Sequence, residues 1–294
     1  MTGRCRHVVA EVMVESFPVA TGDLANLVQV KWQSAELPPR SPLAGWECDG
    51  REGVLTLPCL GVARLSADGI VLDVPDESAA AALWARIGDW ASAQVLQARG
   101  IVVFRGAAIA RDEQVVVIAG TPRCGASMSA LIAARRGWGL VADGYVAIDA
   151  ERRILNRSDY VVVDSHTLTQ LPQDVPRRDL PTKRPRTAVT VETHEGGTMT
   201  DVILFSRMQG LPTITITTPE RGGLLEKLLN NVTFDRSLPA TAPAPSSVIE
   251  GLPDSRIIKL VRPLTIRPDH GPECTPPGIA AAMIRHLDDA RAAT

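Results

Sequence analysis

The sequence predicts a mixed α/β (α+β) fold in which a small, mostly β region leads into a larger core. Three observations predict it. Brief β-type runs at 54–57, 61–65 and 70–72 are separated by turn residues, and Ala67-Asp68-Gly69 joins the last two as a hairpin. Across 78–98, Leu83, Trp84, Ile87, Trp90, Ala91 and Leu96 recur at helical spacing. Between 115 and 142 a strand, a glycine-rich turn, a helix and a second strand follow one another directly.

The elements are justified in chain order. Runs 8–14 and 27–32 read as strands divided by Thr21-Gly22-Asp23, and the proline-rich 37–42 as a loop. Asp76 and Glu77 open the helix over 78–98, whose tryptophans suit core packing, and Gly100 closes it. Runs 101–104 and 107–110 precede the turn Arg111-Asp112-Glu113 and the strand 115–119. A helix over 127–136 ends at Gly137. Strands 115–119 and 140–142 are expected as neighbours in one sheet, with that helix packed on it.

Residues 153–170 alternate β-type runs with polar turns. Further strands are expected at 187–191, 202–205, 214–217 and 257–261, helices at 219–231 and 277–293, and a Pro/Ala/Ser linker at 237–247. Residues 172–186 scatter Arg177, Arg178, Lys183, Arg184 and Arg186 among prolines. That composition predicts a poorly ordered loop without regular structure. The domain division expected is a β-rich region with a connecting helix over 1–95 and the core over 96–294.

Composition narrows the function classes. A 294-residue chain that is 45% hydrophobic can bury a real core. A formal net charge of -2 lacks the basic excess of a nucleic-acid surface, so no nucleic-acid partner is expected. No apolar run is long enough to span a membrane, and the first residues carry no signal-peptide pattern, so a cytoplasmic protein is expected. Cys5, Cys48, Cys59, Cys124 and Cys274 are odd in number and widely spaced. They suggest neither a disulfide framework nor a zinc site. The bias toward Ala, Arg, Pro and Val over Lys suits a GC-rich bacterial genome. The oligomeric state stays open.

The most informative segment is Gly120-Thr121-Pro122-Arg123-Cys124-Gly125-Ala126-Ser127. A P-loop wraps phosphates in backbone N–H groups and aims a helix N-terminus at them. Its pattern is Gly, four residues, Gly, Lys, Ser/Thr. Both glycines and the serine are in place, and Ala126 stands where the lysine belongs.

The similarity extends on both sides of the loop. From Arg105 to Gly144 the chain reads RGAAIARDEQVVVIAGTPRCGASMSALIAARRGWGLVADG. Without a gap it resembles the HPr kinase/phosphorylase family: a "HAsAV" segment, an apolar strand, the P-loop, a helix ending Arg-Gly, then "LVADD". Arg136-Gly137 and Leu140-Val141-Ala142-Asp143 are similar in sequence and spacing. Residues 201–231 resemble the family's later strand-plus-helix region less specifically. The upstream sheet and helix are similar in layout to stand-alone HPr-kinase-related proteins found beside peptide-natural-product genes. The resemblance implies a phosphoenolpyruvate-carboxykinase-like P-loop fold, ATP and Mg²⁺ as cofactors, and a protein or peptide hydroxyl as acceptor.

Three polar positions of that pattern are changed: the histidine falls on Arg105, the lysine on Ala126 and the second aspartate on Gly144. The resemblance assigns them acid/base work, γ-phosphate neutralisation and the metal or nucleophile region. Phosphoryl transfer rests on positioning and charge stabilisation, so these losses argue against efficient transfer and make the ATP/Mg²⁺ implication doubtful. Arg123 and Arg105 are the candidate replacement cations, against an exposed loop charge and a structural ion pair. Ser127 reads as a Mg²⁺ ligand or a helix cap, and Asp143 as the retained catalytic carboxylate at a strand end.

Cys124 reads as a small loop filler, or as a thiol acidified by the helix start. Glu192 and His194 lack a second histidine and read as a solvated turn. The basic run at 172–186 either is solvated or docks an acidic peptide. Three readings stand: a degenerate, pseudokinase-like binding protein; an active enzyme of altered chemistry, with arginine in place of lysine or with phosphate-independent chemistry in the same pocket; and an unrelated α/β protein with a chance loop match.

Overall fold

The computed structural model describes residues 5–8, 24, 27–35, 45–49, 51–58, 60–121, 123–164, 176–180, 186–219, 222, 245–250, 252–253, 256–264 and 270–292. They divide into two compact units, one within Met1–Val103, the other within Phe104–Leu180, Arg184–Phe234 and Ala244–Thr294.

The first unit is a sheet covered by one helix. Its strands are β1 (Cys5–Val8), β2 (Val30–Ser34), β3 (Gly45–Cys48), β4 (Gly53–Leu57), β5 (Gly61–Ser66) and β6 (Gly69–Val74), in the order β1-β3-β4-β5-β6-β2. Neighbours are antiparallel except β2, which runs parallel to β6 at one edge. Period-two alternation puts Leu55, Leu57, Ala63, Leu65, Ile70 and Leu72 inside. Helix α1 (Glu77–Ala98) packs on β5 and β6. Asp76 caps it by accepting the Ala79 N–H at 2.8 Å. The expected hairpin and helix are both present. Trp90 is core, stacked edge-on against Trp46 at 4.9 Å, whereas Trp84 is half-buried.

The second unit carries the glycine-rich loop. Its main sheet holds β7 (Val102–Arg111), β8 (Gln114–Gly120), β9 (Gly139–Ile148), β13 (Asp201–Met208), β14 (Thr215–Thr217) and β15 (Ile257–Pro263), in the order β14-β15-β13-β8-β7-β9. β8 is buried along its whole length. It is flanked by antiparallel β7 and parallel β13.

The predicted adjacency of 115–119 and 140–142 is corrected here: they share a sheet, but β7 lies between them. The short turn through Asp112, with φ 55, folds β7 back on β8 and takes the neighbouring place before β9 is reached. The two runs expected within 101–110 form one continuous strand.

Helix α2 (Ala126–Ala134) packs against β8, β9, β10 (Tyr160–Asp164) and the C-terminal helix α4 (Pro276–Ala292). Leu131, Trp138, Val161, Ile203, Phe205 and Met283 belong to the core around it. Arg111 lies over the Trp138 ring at 4.4 Å and pairs with Asp288.

A second, three-stranded antiparallel sheet runs β10-β12-β11, with β11 at Arg177–Leu180 and β12 at Arg186–Thr190. The irregular loop predicted over 172–186 is therefore overturned at Arg177–Leu180. There cross-strand pairing to β12 supplies the hydrogen bonds that local propensity did not signal. Residues 172–175 and 181–185 lie outside the described residues, as do 9–23, 37–42 and 220–221, and most of the helix expected over 219–231. Part of the expected linker is helical, since α3 spans Pro245–Ile249. No helix among the described residues is long and apolar enough to cross a membrane.

At the end of the sheet away from the loop, Asp201 is fully buried and clamps three strand starts. Arg256 pairs with it at 3.1 Å, Gln114 donates to it at 3.2 Å, and the Thr200 hydroxyl lies at 2.7 Å. Removing one partner of a buried pair strands the other. Asp201→Ala should cost about 3 kcal/mol in urea unfolding, at the lower end of such losses because Arg256 keeps some solvent access. A loss under about 1 kcal/mol would show that water compensates Arg256 fully.

Candidate functional site

The site begins where β8 ends. Gly120 is there because nothing larger fits: an added Cβ would collide with the Cys124 thiol and stand 2.9 Å from Phe205 Cβ and 3.0 Å from Phe205 O. Thr121 O accepts the Cys124 N–H at 3.0 Å and closes the turn. Pro122 lies outside the described residues. Arg123 is exposed and holds φ at 63, an uncommon conformation for a residue with a side chain. Gly125 follows at φ 109 as the N-cap of α2, and no side chain caps the helix. The first-turn N–H groups of α2 thus lack a side-chain partner from the cap, as an anion-binding helix start requires.

Ala126, in the lysine position, is buried and part of the core. Ser127, on the same turn, faces Asp143 of β9. Asp143 is buried; its Oδ2 accepts the Val162 N–H at 3.0 Å, while Oδ1 has no hydrogen-bond partner among the described residues. Burial pushes this carboxyl up to about 6, against the pull of Ser127 and of the Val162 and Gly144 N–H groups. Ser127 therefore lies close enough to influence the carboxylate but falls short of good hydrogen-bond geometry. A hydroxyl and an orphaned buried carboxylate oxygen facing each other fit a divalent cation bound to a phosphate ligand. Ser127 and Asp143 would hold Mg²⁺, and the N–H groups at the start of α2 would hold the phosphates. Mg²⁺ would supply charge neutralisation there.

Gly144, where the resemblance expects a second aspartate, has φ 83 within β9. An added Cβ would meet nothing within 4 Å. The left-handed backbone, not crowding, favours glycine at this position.

Cys124 is buried, and burial pushes its thiol up despite the Ala126 N–H and the charges of Arg262 and Arg207. The filler reading suits that environment. Arg105 immediately precedes Gly106, which pairs with Ala119, so it stands beside the end of β8; it is half-buried.

Sequence reasoning missed two arginines at this end of the sheet. Arg262 donates from Nε to Cys124 O at 2.7 Å and from a terminal nitrogen to Arg123 O at 2.7 Å. Arg207 sits opposite it across β13 and β15. The signal available was only that both arginines end predicted strands, the carboxyl edge where α/β sheets place ligands. Glu192 and His194 sit elsewhere, along the start of β9, with Leu140 bonded to Glu192 O and His194 to Leu140 O, each at 2.8 Å. No metal-holding group of three or more His, Cys, Asp or Glu occurs among the described residues.

No protein-family model matches the chain, and no curated protein is significantly similar to it. Among solved structures, the Hpr(Ser) kinase/phosphatase from Coxiella burnetii is similar over 65% of this chain and 93% of its own, at 12% identity and a TM-score of 0.28. A likeness that distant carries no argument about ligand or activity.

Two outcomes follow from the geometry. Gly120→Ala should displace Cys124 or Phe205 and cost about 1–3 kcal/mol by overpacking, measured by thermal or urea unfolding. Asp143 has a folded pKa of about 6, above its ordinary 3.8. The folded state therefore holds the extra proton between those values, and stability falls as pH rises through that window. Asp143→Asn should accordingly be more stable than wild type by about 3 kcal/mol at pH 8, with the difference vanishing toward pH 4. A pH-independent difference would refute the buried-carboxylate account.

Proposed function

We propose that this chain is a degenerate HPr-kinase-like P-loop protein that binds a ligand rather than transferring phosphate efficiently. The observation that carries the reading is Ala126. The lysine position is occupied by a buried methyl group inside the core, while the loop, the uncapped helix start, Ser127 and Asp143 are kept. What is kept serves binding. What is lost would neutralise the γ-phosphate and move a proton, and removing a charge-stabilising donor alone costs about 10²–10³ in rate. The resemblance from Arg105 to Gly144 supports the family reading, and the layout similarity supports a bacterial biosynthetic setting.

The partner proposed alongside a small ligand is an acidic peptide or protein segment. Arg177 and Arg178 support this: they lie exposed on β11, at the edge of the three-stranded sheet. Edge strands can accept an extended peptide by backbone pairing, and the two charges would steer an acidic one.

A second reading, an active kinase of a peptide or small molecule with arginine replacing lysine, is favoured by Arg262 and Arg207 beside the loop. Turnover separates the two. Under the binding reading, ATP hydrolysis and phosphorylation of the small HPr carrier protein stay far below the ~1 s⁻¹ of an ordinary kinase, with Mg²⁺ present. Transfer at that rate or faster, abolished by Arg207→Ala or Arg262→Ala, would establish the second reading instead.

A further inference from the structure

The positive charge missing from α2 stands on two neighbouring strands. β13 and β15 run parallel, with Arg207 directly opposite Arg262. β13 also pairs with β8 up to Phe205 opposite Gly120, so both arginines extend past the edge where the loop leaves the sheet. Matched positions on parallel strands point to the same face, about 5 Å apart. Like charges placed so destabilise a sheet. Burial, then Arg207, push the pKa of Arg262 down. Among the described residues neither arginine has a carboxylate partner. A cationic pair of this kind is relieved by an anion.

The two arginines differ in what they do. Arg262 is committed to the protein: its donors hold Cys124 O, Arg123 O and, at 3.1 Å, Pro263 O. A peptide plane points its C=O and N–H in opposite directions. Holding Cys124 O toward β15 therefore turns the Gly125 N–H the other way and fixes the loop's shape. Arg207 makes no hydrogen bond to a described residue, yet its charge is felt at Cys124 in the loop. Asp143 adds an independent pointer, to the cation that accompanies a phosphate: a buried carboxylate oxygen without a partner among the described residues, facing Ser127 on the first turn of α2.

We propose that Arg207 takes the charge role of the absent lysine at the Gly120–Ser127 loop, with Arg262 as the positioning residue that holds the loop. This rests on the loop being the pocket for a phosphoryl oxyanion, either free phosphate or the terminal phosphate of a nucleotide. Guanidinium suits the task because its planar donors pair with two phosphate oxygens at once. Arg262→Lys keeps the charge but cannot hold two carbonyls, so it distinguishes positioning from charge.

The test is calorimetric titration of the full chain with inorganic phosphate, pyrophosphate and ATP, each with and without Mg²⁺. Wild type is expected to bind at least one of them. Arg207→Ala should weaken that binding about tenfold or more, as the loss of a charged hydrogen-bond donor requires. Arg207→Lys should retain part of it, since it keeps the charge and loses the planar pairing with two oxygens. Arg262→Lys should weaken binding and also lower the melting temperature without ligand. Ligand-free Arg207→Ala should melt no lower than wild type, since it relieves a like-charge pair, and this separates lost binding from lost folding. Equal affinity for phosphate and ATP identifies the free anion as ligand; much tighter ATP binding identifies the nucleotide. Wild-type protein that takes up none of the three, or Arg207→Ala protein that binds as tightly as wild type, overturns the proposal. ATP turnover at a kinase rate would count against the binding reading of the chain but leave the Arg207 dependence standing.

Discussion

The bare backbone at the end of β8 lets its neighbours close in on it, and the candidate site depends on that contact. Gly120 leaves room for the Cys124 thiol to tuck beneath the loop and for Phe205 to press against the strand end. With the thiol seated there, the chain turns through Arg123 and Gly125 and starts α2 over the sheet. Arg262 then fastens the outer side of the same turn through two carbonyls. A loop of small residues would otherwise have many conformations. Here it has a packed floor and a hydrogen-bonded rim, and both come from strands distant in sequence.

Charge at the site follows from that packing. Ala126 is core, so a cation on α2 would face the methyl groups that hold the helix to the sheet. Positive charge stands instead on β13 and β15, where Arg207 and Arg262 are half-buried beyond the end of β8. The negative charge is Asp143, whose burial raises its pKa to about 6. Near neutral pH the carboxyl thus sits close to its titration point, with one oxygen already fixed by the Val162 N–H. A cation or a proton at the other oxygen would relieve the same cost, because either removes an uncompensated charge from a low-dielectric site.

The opposite end of the sheet is built for permanence. Asp201 is buried like Asp143, yet its oxygens meet Arg256, Gln114 and Thr200. Two buried aspartates on one sheet, one fully engaged and one with an idle oxygen, mark the end that holds the strands and the end of the candidate site. Gly144 belongs with the second. At that position the chain supplies a left-handed backbone beside Asp143 rather than a second acidic side chain.

The sequence by itself determined the local elements: the hairpin at Ala67-Asp68-Gly69, helix α1 with its Asp76 cap, β8, the glycine loop and α2. These depend on periodicity, capping and turn residues, which act over a few positions. Gly120, Ser127 and Asp143 were legible as candidate site residues for the same reason, since a short motif carries their spacing. Only the tertiary structure decided which strands are neighbours. It put β7 between β8 and β9, made Arg177–Leu180 a strand through β12, and brought Arg207 and Arg262 to a loop more than eighty residues earlier in the chain. Strand pairing and side-chain convergence are set by burial and hydrogen bonding across the whole sheet. An arginine at a strand end reads the same in sequence whether it meets solvent or a loop carbonyl.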